Sequence, residues 1–572
     1  MRTKLRYCLL GAIIAIPVAL PSQIRVNQVG MYPNQEKTAV IEGKVKAGKV
    51  SIVSDATGRK AVKPRLLRTA VSPWSKKERT VIDFSSLTQP GTYTIRCGSH
   101  SASFTIAADA LHNVTEATLK AFYLIRSGMP IEQRYAGNYA RPLGHPDTQV
   151  LIHPSAASVG RPAGSVISSP GGWYDAGDYN KYIVNSAFSV GIMLCSYEQN
   201  RKYYDGLSVN IPESSNRTAD ILDELYYNLA WMLTMQDPYD GGVYHKLTTP
   251  NFEGFVMPKD CHQQRYVVQK TTTATLDFAA VMAQAARIFK GNTDYPDFSR
   301  QAANAALAAY GWAERNPRVL YQQERMSQQF KPAVSTGAYA DFITSDELFW
   351  AATELYLLTE DPLFANLAEQ HQPQRFSAPT WGNVASLGTF DCLSHPSKMQ
   401  DVLKTQLLNY CDSLVATTSA SSFQTPCGNS RRDFGWGCLA EAFGANGVAL
   451  LYAHRLTGQQ QYLTAAQQNA DYVLGRNATG YCFVTGFGSL SPQHPHHRIS
   501  EADGIDAPFP GLLAGGPNPG QQDKADGNLT YPSNQPDESY IDAMQSYASN
   551  EIAINWNASL VALLGWLEAV SK

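Results

Sequence analysis

The chain has 572 residues, enough for two domains and at least one large core. Only 17% of them are charged and the formal net charge is −2, so the chain lacks the basic excess that a nucleic-acid partner would need. Aromatic residues make up 10%, with 30 Tyr and 9 Trp, a supply of flat faces that suits either a large helical core or sugar rings.

At the N-terminus, Arg2, Lys4 and Arg6 precede an apolar stretch from Cys8 to Leu20. The stretch is short for a bilayer span and reads as an export signal over residues 1–22. No later stretch is apolar enough to cross a membrane, so the expectation is an exported monomer, periplasmic or extracellular. Of nine cysteines, eight follow the signal, scattered and without a Cys-x-x-Cys pair. Buried free thiols are expected, with a Cys411–Cys427 bridge as the alternative that export would permit.

Residues 23–108 read as a small β-sandwich. Alternating segments near 49–53, 79–84 and 92–96 are separated by turn clusters such as Gln89-Pro90-Gly91-Thr92. Its single tryptophan, Trp74, makes no aromatic row for sugar, so the module is expected to pack against the helical region. Residues 109–572 change to helical spacing, with apolar stripes at 220–236, 273–289, 300–315, 346–359, 444–457, 461–475 and 551–570. Loops rich in Gly, Pro, Asn and Asp lie between many of these stripes. That pattern suggests helical hairpins in a barrel or toroid whose loops gather at one end around a cleft.

Three loops carry candidate chemistry. In Gly171-Gly-Trp-Tyr-Asp175-Ala-Gly-Asp178, small residues between two Asp let both carboxylates aim at one point, where one could take a proton from water and the other hold it. The alternatives there are an Asx-turn, a helix cap or a calcium loop. In Gln493-His-Pro-His496-His-Arg498, Pro495 and the irregular spacing favour hydrogen bonding to hydroxyls over metal binding. Glu551 stands where the last apolar stripe begins. It could favour the helix dipole there or, partly buried, act as a protonated acid. His245, in a Gly-rich loop, is a candidate cleft residue, and Trp173, Trp381 and Trp436 could stack on rings or simply pack.

These three loops, in this order, resemble glycoside hydrolase family 9, a cellulase family with an (α/α)6 barrel. The likeness covers nearly the whole mature chain, and the segment beginning Ile24-Arg-Val-Asn-Gln-Val-Gly30 resembles the immunoglobulin-like module that often precedes this barrel. The resemblance implies inverting cleavage of β-1,4-glucan chains, with Asp178 as base, Asp175 sharing its water and Glu551 as acid. It further implies sugar contacts from His496 and Arg498, with Asp542 and Tyr547 as supporting residues, and His245 and Trp436 join them as candidate sugar contacts on their own residue chemistry. An exo-acting relative or a non-catalytic binder are the alternatives. No cofactor is needed for such chemistry. Some members hold zinc through a Cys, a Cys-His pair and a His, but here Ser127, Gly144-His145 and Tyr174 stand at those places, so that zinc site is expected to be absent. Thr336-Gly-Ala-Tyr-Ala-Asp341 resembles a family calcium loop in which Ala338 replaces an acidic residue, making Thr336 and Asp341 candidate calcium ligands.

Overall fold

The computed structural model describes residues 23–571, so the expected export segment lies outside the described residues. The first strands are β1 (Ile24–Arg25), β2 (Thr38–Glu42), β3 (Val50–Ser54), β4 (Lys60–Val62), β5 (Arg65–Val71), β6 (Glu78–Asp83), β7 (Gly91–Cys97) and β8 (His100–Ile106). They form two antiparallel four-stranded sheets, ordered β1-β2-β6-β5 and β4-β3-β7-β8. Alternation along each strand turns Ile41, Ile82 and Phe84 from one sheet toward Ile52, Ile95 and Phe104 from the other, closing a sandwich core.

Twelve helices of ten or more residues follow among the described residues. They are α1 (His112–Leu124), α2 (Ile183–Gln199), α3 (Asp220–Thr234), α4 (Thr272–Ile288), α5 (Phe298–Arg315) and α6 (Ser345–Thr359), then α7 (Pro362–His371), α8 (Ala385–Ser394), α9 (Gln400–Thr417), α10 (Asn446–Thr457), α11 (Gln460–Val473) and α12 (Ile554–Ser571). Burial alternates along the series. α4 is buried everywhere except Arg287, whereas α9 buries only Leu403, Leu407 and Cys411. The even-numbered helices therefore form an inner ring and the odd-numbered ones a surrounding layer, six hairpins in an (α/α)6 barrel. α12 packs on both α1 and α2, which closes the circle. The sequence stripes mark the amphipathic members well. They miss α1, α2, α7, α8 and α9; α2 is buried on nearly every side, so it has no polar face to give a period.

A third sheet, of five short strands, sits on the loop end. Its strands are β9 (Val150–Ile152), β10 (Val166–Ile167), β11 (Lys181–Tyr182), β12 (Lys246–Thr248) and β13 (Tyr266–Val267), ordered β10-β9-β13-β12-β11. Pairing of Tyr182 with Lys246 carries the loop ahead of α2 against the loop after α3.

The module joins the barrel through buried polar contacts. Arg79, 3% exposed, meets Asp537 at 3.5 Å and Glu538 at 3.4 Å, and its guanidinium lies over Phe423. Asn27 donates to Asp471 at 2.8 Å, and Arg476 bonds both Thr38 and Asp471. Trp74 meets Phe434 edge-on, a packing role rather than a sugar platform. Cys411 and Cys427 are both buried with free thiols, so the Cys411–Cys427 bridge is not formed.

Candidate active site

A cleft of about 820 Å³ opens among the loops. Its lining includes Asp175, Asp178, His496, Arg498, Tyr547 and Glu551, brought together from three distant segments. Gly177 is the point where they meet. Its N–H donates to Glu551 Oε1 at 3.3 Å, and its carbonyl accepts from the Arg498 backbone at 3.1 Å and from Arg498 Nη1 at 2.7 Å. A Cβ on Gly177 would stand 2.3 Å from the His496 carbonyl oxygen, so only glycine lets the two loops approach this closely.

The two aspartates are held differently. Asp175 is buried, accepting from Asn185 Nδ2 at 2.8 Å and from Tyr339 OH at 2.7 Å. Burial, and then the nearby charge of Asp178, push Asp175 up to about 8. Asp178 accepts through Oδ2 from the Asn180 backbone N–H at 3.2 Å, from the Asn180 side chain and from Tyr182 OH at 3.3 Å. Its Oδ1 has no protein hydrogen-bond partner among the described residues. Asp178 lines the cleft.

Glu551 is not in a helix. It lies in an extended segment bridged to His496, while Ile552 bridges Ala514, and α12 starts only at Ile554. Strand-like bridging, not a helix terminus, therefore aims its carboxyl group. Burial first, then the charge of Asp178, raise Glu551 to about 8, so it keeps its proton at neutral pH. His496 Nδ1 faces the Met544 carbonyl at 2.6 Å, and burial lowers His496 to about 4, leaving it neutral. Arg498 also donates from Nε to the Glu253 carbonyl at 2.8 Å and lies under Phe252 and Phe255. Trp436, 44% exposed, and Tyr547 stack with ring centres 5.7 Å apart at the cleft wall.

Two expected sugar contacts lie elsewhere. His245 is fully buried behind the wall, stacked on Tyr321 and bonded to Thr271 and to the Ala338 carbonyl. Asp542 accepts from the backbone N–H groups of Gln493 and His494 and from Asn550 Nδ2, so it braces the histidine loop rather than facing the cleft. Of the tryptophans, Trp381 lines the cleft, whereas Trp173 is buried and donates to Glu224.

Several residues here gave no sequence signal. Lys246, fully buried, donates to Gln323 at 2.7 Å, Thr336 at 2.9 Å and the Gly337 carbonyl at 2.6 Å. Burial lowers its ammonium to about 7, against the charges of Asp178 and Asp175. Asn185 and Tyr339, which hold Asp175, lie on an apolar helix and in the loop read as a calcium site. Glu441 lines the cleft from a π-helical turn, Leu439–Ala445, and burial raises it to about 7. A π-turn or a β-bridge between distant loops leaves no periodic trace for a sequence reader.

The metal expectations divide. Thr336 accepts a hydrogen bond from the Lys246 ammonium, which corrects its assignment as a calcium ligand, because a second cation would be repelled there. Asp341 instead joins Asp277, Asp346 and Glu347. Both oxygens of Asp277 and Glu347, Asp341 Oδ2 and Asp346 Oδ1 are buried without a protein partner; burial raises all four carboxyls, and repulsion from the neighbouring carboxylates adds to it for Asp277, Asp341 and Glu347. Hard oxygen donors in this number fit Ca²⁺. At the position of the family zinc, the Tyr174 hydroxyl lies 2.9 Å from His145 Nδ1, and Ser127 donates to the His145 carbonyl.

Residues 112–564 match the family model of glycosyl hydrolase family 9, and residues 20–102 that of the cellulase N-terminal Ig-like domain. The chain is 53% identical over 559 residues to a xyloglucan-specific endo-β-1,4-glucanase of Bacteroides ovatus, covering 96% of this chain and 94% of that protein. It is 33% identical to endoglucanase D of Acetivibrio thermocellus, covering 96% of this chain and 83% of that protein. A solved Bacteroides ovatus family 9 structure superposes with a TM-score of 0.91 at 51% identity, covering 96% of this chain and 99% of that chain.

Proposed function

The chain belongs to glycosyl hydrolase family 9, and from that membership we propose that it is an inverting endo-β-1,4-glucanase acting on a substituted plant glucan of the xyloglucan type. The observation that carries this reading is the meeting of three carboxyl groups around Gly177, with Glu551 and Asp175 both raised to about 8 and Asp178 left with an oxygen for water. Asp178 acts as the base that removes a proton from water, and Asp175, anchored by Asn185 and Tyr339, fixes that water's approach. Glu551 gives its proton to the leaving glycosidic oxygen. His496 and Arg498 hold the sugar at the scissile bond, while Tyr547 and Trp436 supply a stacking wall. No cofactor takes part in these steps. A structural Ca²⁺ is assigned to Asp341 with Asp277, Asp346 and Glu347, and the four-ligand zinc site of some relatives is absent because Ser127 and Tyr174 occupy ligand positions. Among the described residues, no helix is long and apolar enough to cross a membrane. The enzyme is further read as exported and monomeric, with a glucan rather than a nucleic acid as partner, in keeping with its small net charge of −2.

One experiment tests the chemistry and the specificity together. Xyloglucan and cellohexaose are digested with the first-formed anomer followed by NMR. Internal cuts with the α-anomer appearing first are expected, with xyloglucan preferred. A β-anomer as first product would remove the inverting assignment, and release of single sugars from chain ends would replace the endo mode. Asp178→Ala should abolish hydrolysis while leaving the circular dichroism spectrum unchanged.

A further inference from the structure

The loop between β12 and β13 crosses the mouth of the cleft. Phe252 lines the cleft, the Glu253 carbonyl accepts from Arg498 Nε at 2.8 Å, and Phe255 meets His496 edge-on. Beside this contact, ligand atoms of His145, Glu253 and Cys261 all lie within 4.8 Å of one another. His145 is only 7% exposed. Its Nδ1 is engaged by Tyr174, and its Nε2 is buried with no hydrogen-bond partner. An unpaired ring nitrogen in such a place is costly unless something completes it. Glu253 and Cys261 are only partly buried and weakly held: Glu253 accepts from the Gln263 N–H at 3.3 Å, and the Cys261 thiol meets the Met257 carbonyl at 3.7 Å.

We propose that His145 Nε2, the Cys261 thiolate and the Glu253 carboxylate form a binding site for a divalent transition metal, Zn²⁺ or a close equivalent, that staples this loop to the barrel wall. Donors around a tetrahedral Zn²⁺ stand about 3.5 Å apart, so the two mobile side chains need to close by roughly an ångström around the fixed imidazole. The set is one nitrogen, one sulfur and one oxygen, with water for the fourth position. Two anionic donors and a neutral imidazole match the 2+ charge, and the thiol proton leaves to solvent when Cys261 binds. Arg265 and Arg498 are the cations nearest this thiol, and Asp260 adds a further negative charge. The site differs from the four-ligand arrangement lost at Ser127 and Tyr174: it shares only His145, and it uses the ring nitrogen opposite Tyr174.

The test loads chelator-treated full-length protein with Co²⁺ alone. One equivalent should give a near-ultraviolet thiolate-to-cobalt charge-transfer band, displaced by Zn²⁺ and retained in Cys97→Ser, which removes the other partly exposed thiol among the described residues. Cys261→Ser should abolish the band, and Glu253→Gln should weaken metal binding by roughly tenfold. Zn²⁺ should also slow alkylation of Cys261 by iodoacetamide, read by peptide mass spectrometry on the unmutated protein, where misfolding of a variant plays no part. Absence of the band in the unmutated protein, its persistence in Cys261→Ser, or alkylation indifferent to Zn²⁺ would each overturn the proposal.

Discussion

As the proposed acid, Glu551 should set the alkaline limit of the enzyme. With its carboxyl raised to about 8 by burial and by Asp178, kcat/KM should fall as pH rises through that value, because the acid loses the proton it must donate. Glu551→Gln should lower turnover of a natural glucan by on the order of 10²–10⁴. On an aryl cellobioside whose phenolate leaves without a proton, the loss should be much smaller and the alkaline limb should vanish. The same raised carboxyl has a stability consequence. Between the unfolded value near 4.5 and the folded value near 8, the folded state alone keeps the proton, so the group's contribution is complete at acid pH and lost on the way to 8. Glu551→Gln should therefore raise Tm more at pH 8 than at pH 5, measured by scanning calorimetry. Lys246 acts at the other limb. Replacing it with Met removes a cation that favours ionised Asp175, so the acid limb of the profile should move up by about one pH unit. An unshifted limb would show that the ammonium is only a strut for Thr336 and Gly337.

At the scale of elements, the catalytic geometry depends on loops locked to each other rather than on helices. Gly177→Ala would drive a Cβ to 2.3 Å from the His496 carbonyl and force the base loop from the acid segment. A shift of about 1 Å costs on the order of 10² in rate, so kcat should collapse while Tm changes little, which a paired kinetic and calorimetric measurement would reveal. Trp436→Ala should instead raise KM by roughly tenfold, about 1.4 kcal/mol, and leave kcat nearly intact, since a stacking wall serves substrate and transition state alike. These elements also explain which features are legible in the sequence. Amphipathic α3 and α5 announce themselves by their stripes, and the Asp175–Asp178 loop by an odd density of small and acidic residues. The placement of Glu551 on a bridge, the withdrawal of His245 behind the wall and the burial of Lys246 depend on partners tens to hundreds of residues away. Local patterning carries no record of such contacts.

The molecule as a whole is held together by a polar seam. Arg79 and Asp537 are both nearly inaccessible, and Asp537 directly precedes the segment that leads to Glu551. Arg79→Ala leaves a buried carboxylate without its cation, which should destabilise the folded chain by about 3 kcal/mol. Adding Asp537→Asn should recover part of that loss in a calorimetric double-mutant cycle, whereas simple additivity would mean that the pair is not coupled. The seam thus links the sandwich to the acid segment without entering the cleft. The contact between Gly177 and Glu551 joins residues 374 apart in sequence, and α12, which follows Glu551, also seals the ring of helices. A chain still emerging from a ribosome or a secretion channel would already own its base, its clamp and most of its groove, yet would have nothing with which to protonate a leaving sugar. Hydrolytic competence therefore arrives with the last hairpin, and a proteolytic trim ahead of Glu551 should cost the enzyme its acid and the buried α12 together, so that activity and the closed ring are lost in one cut.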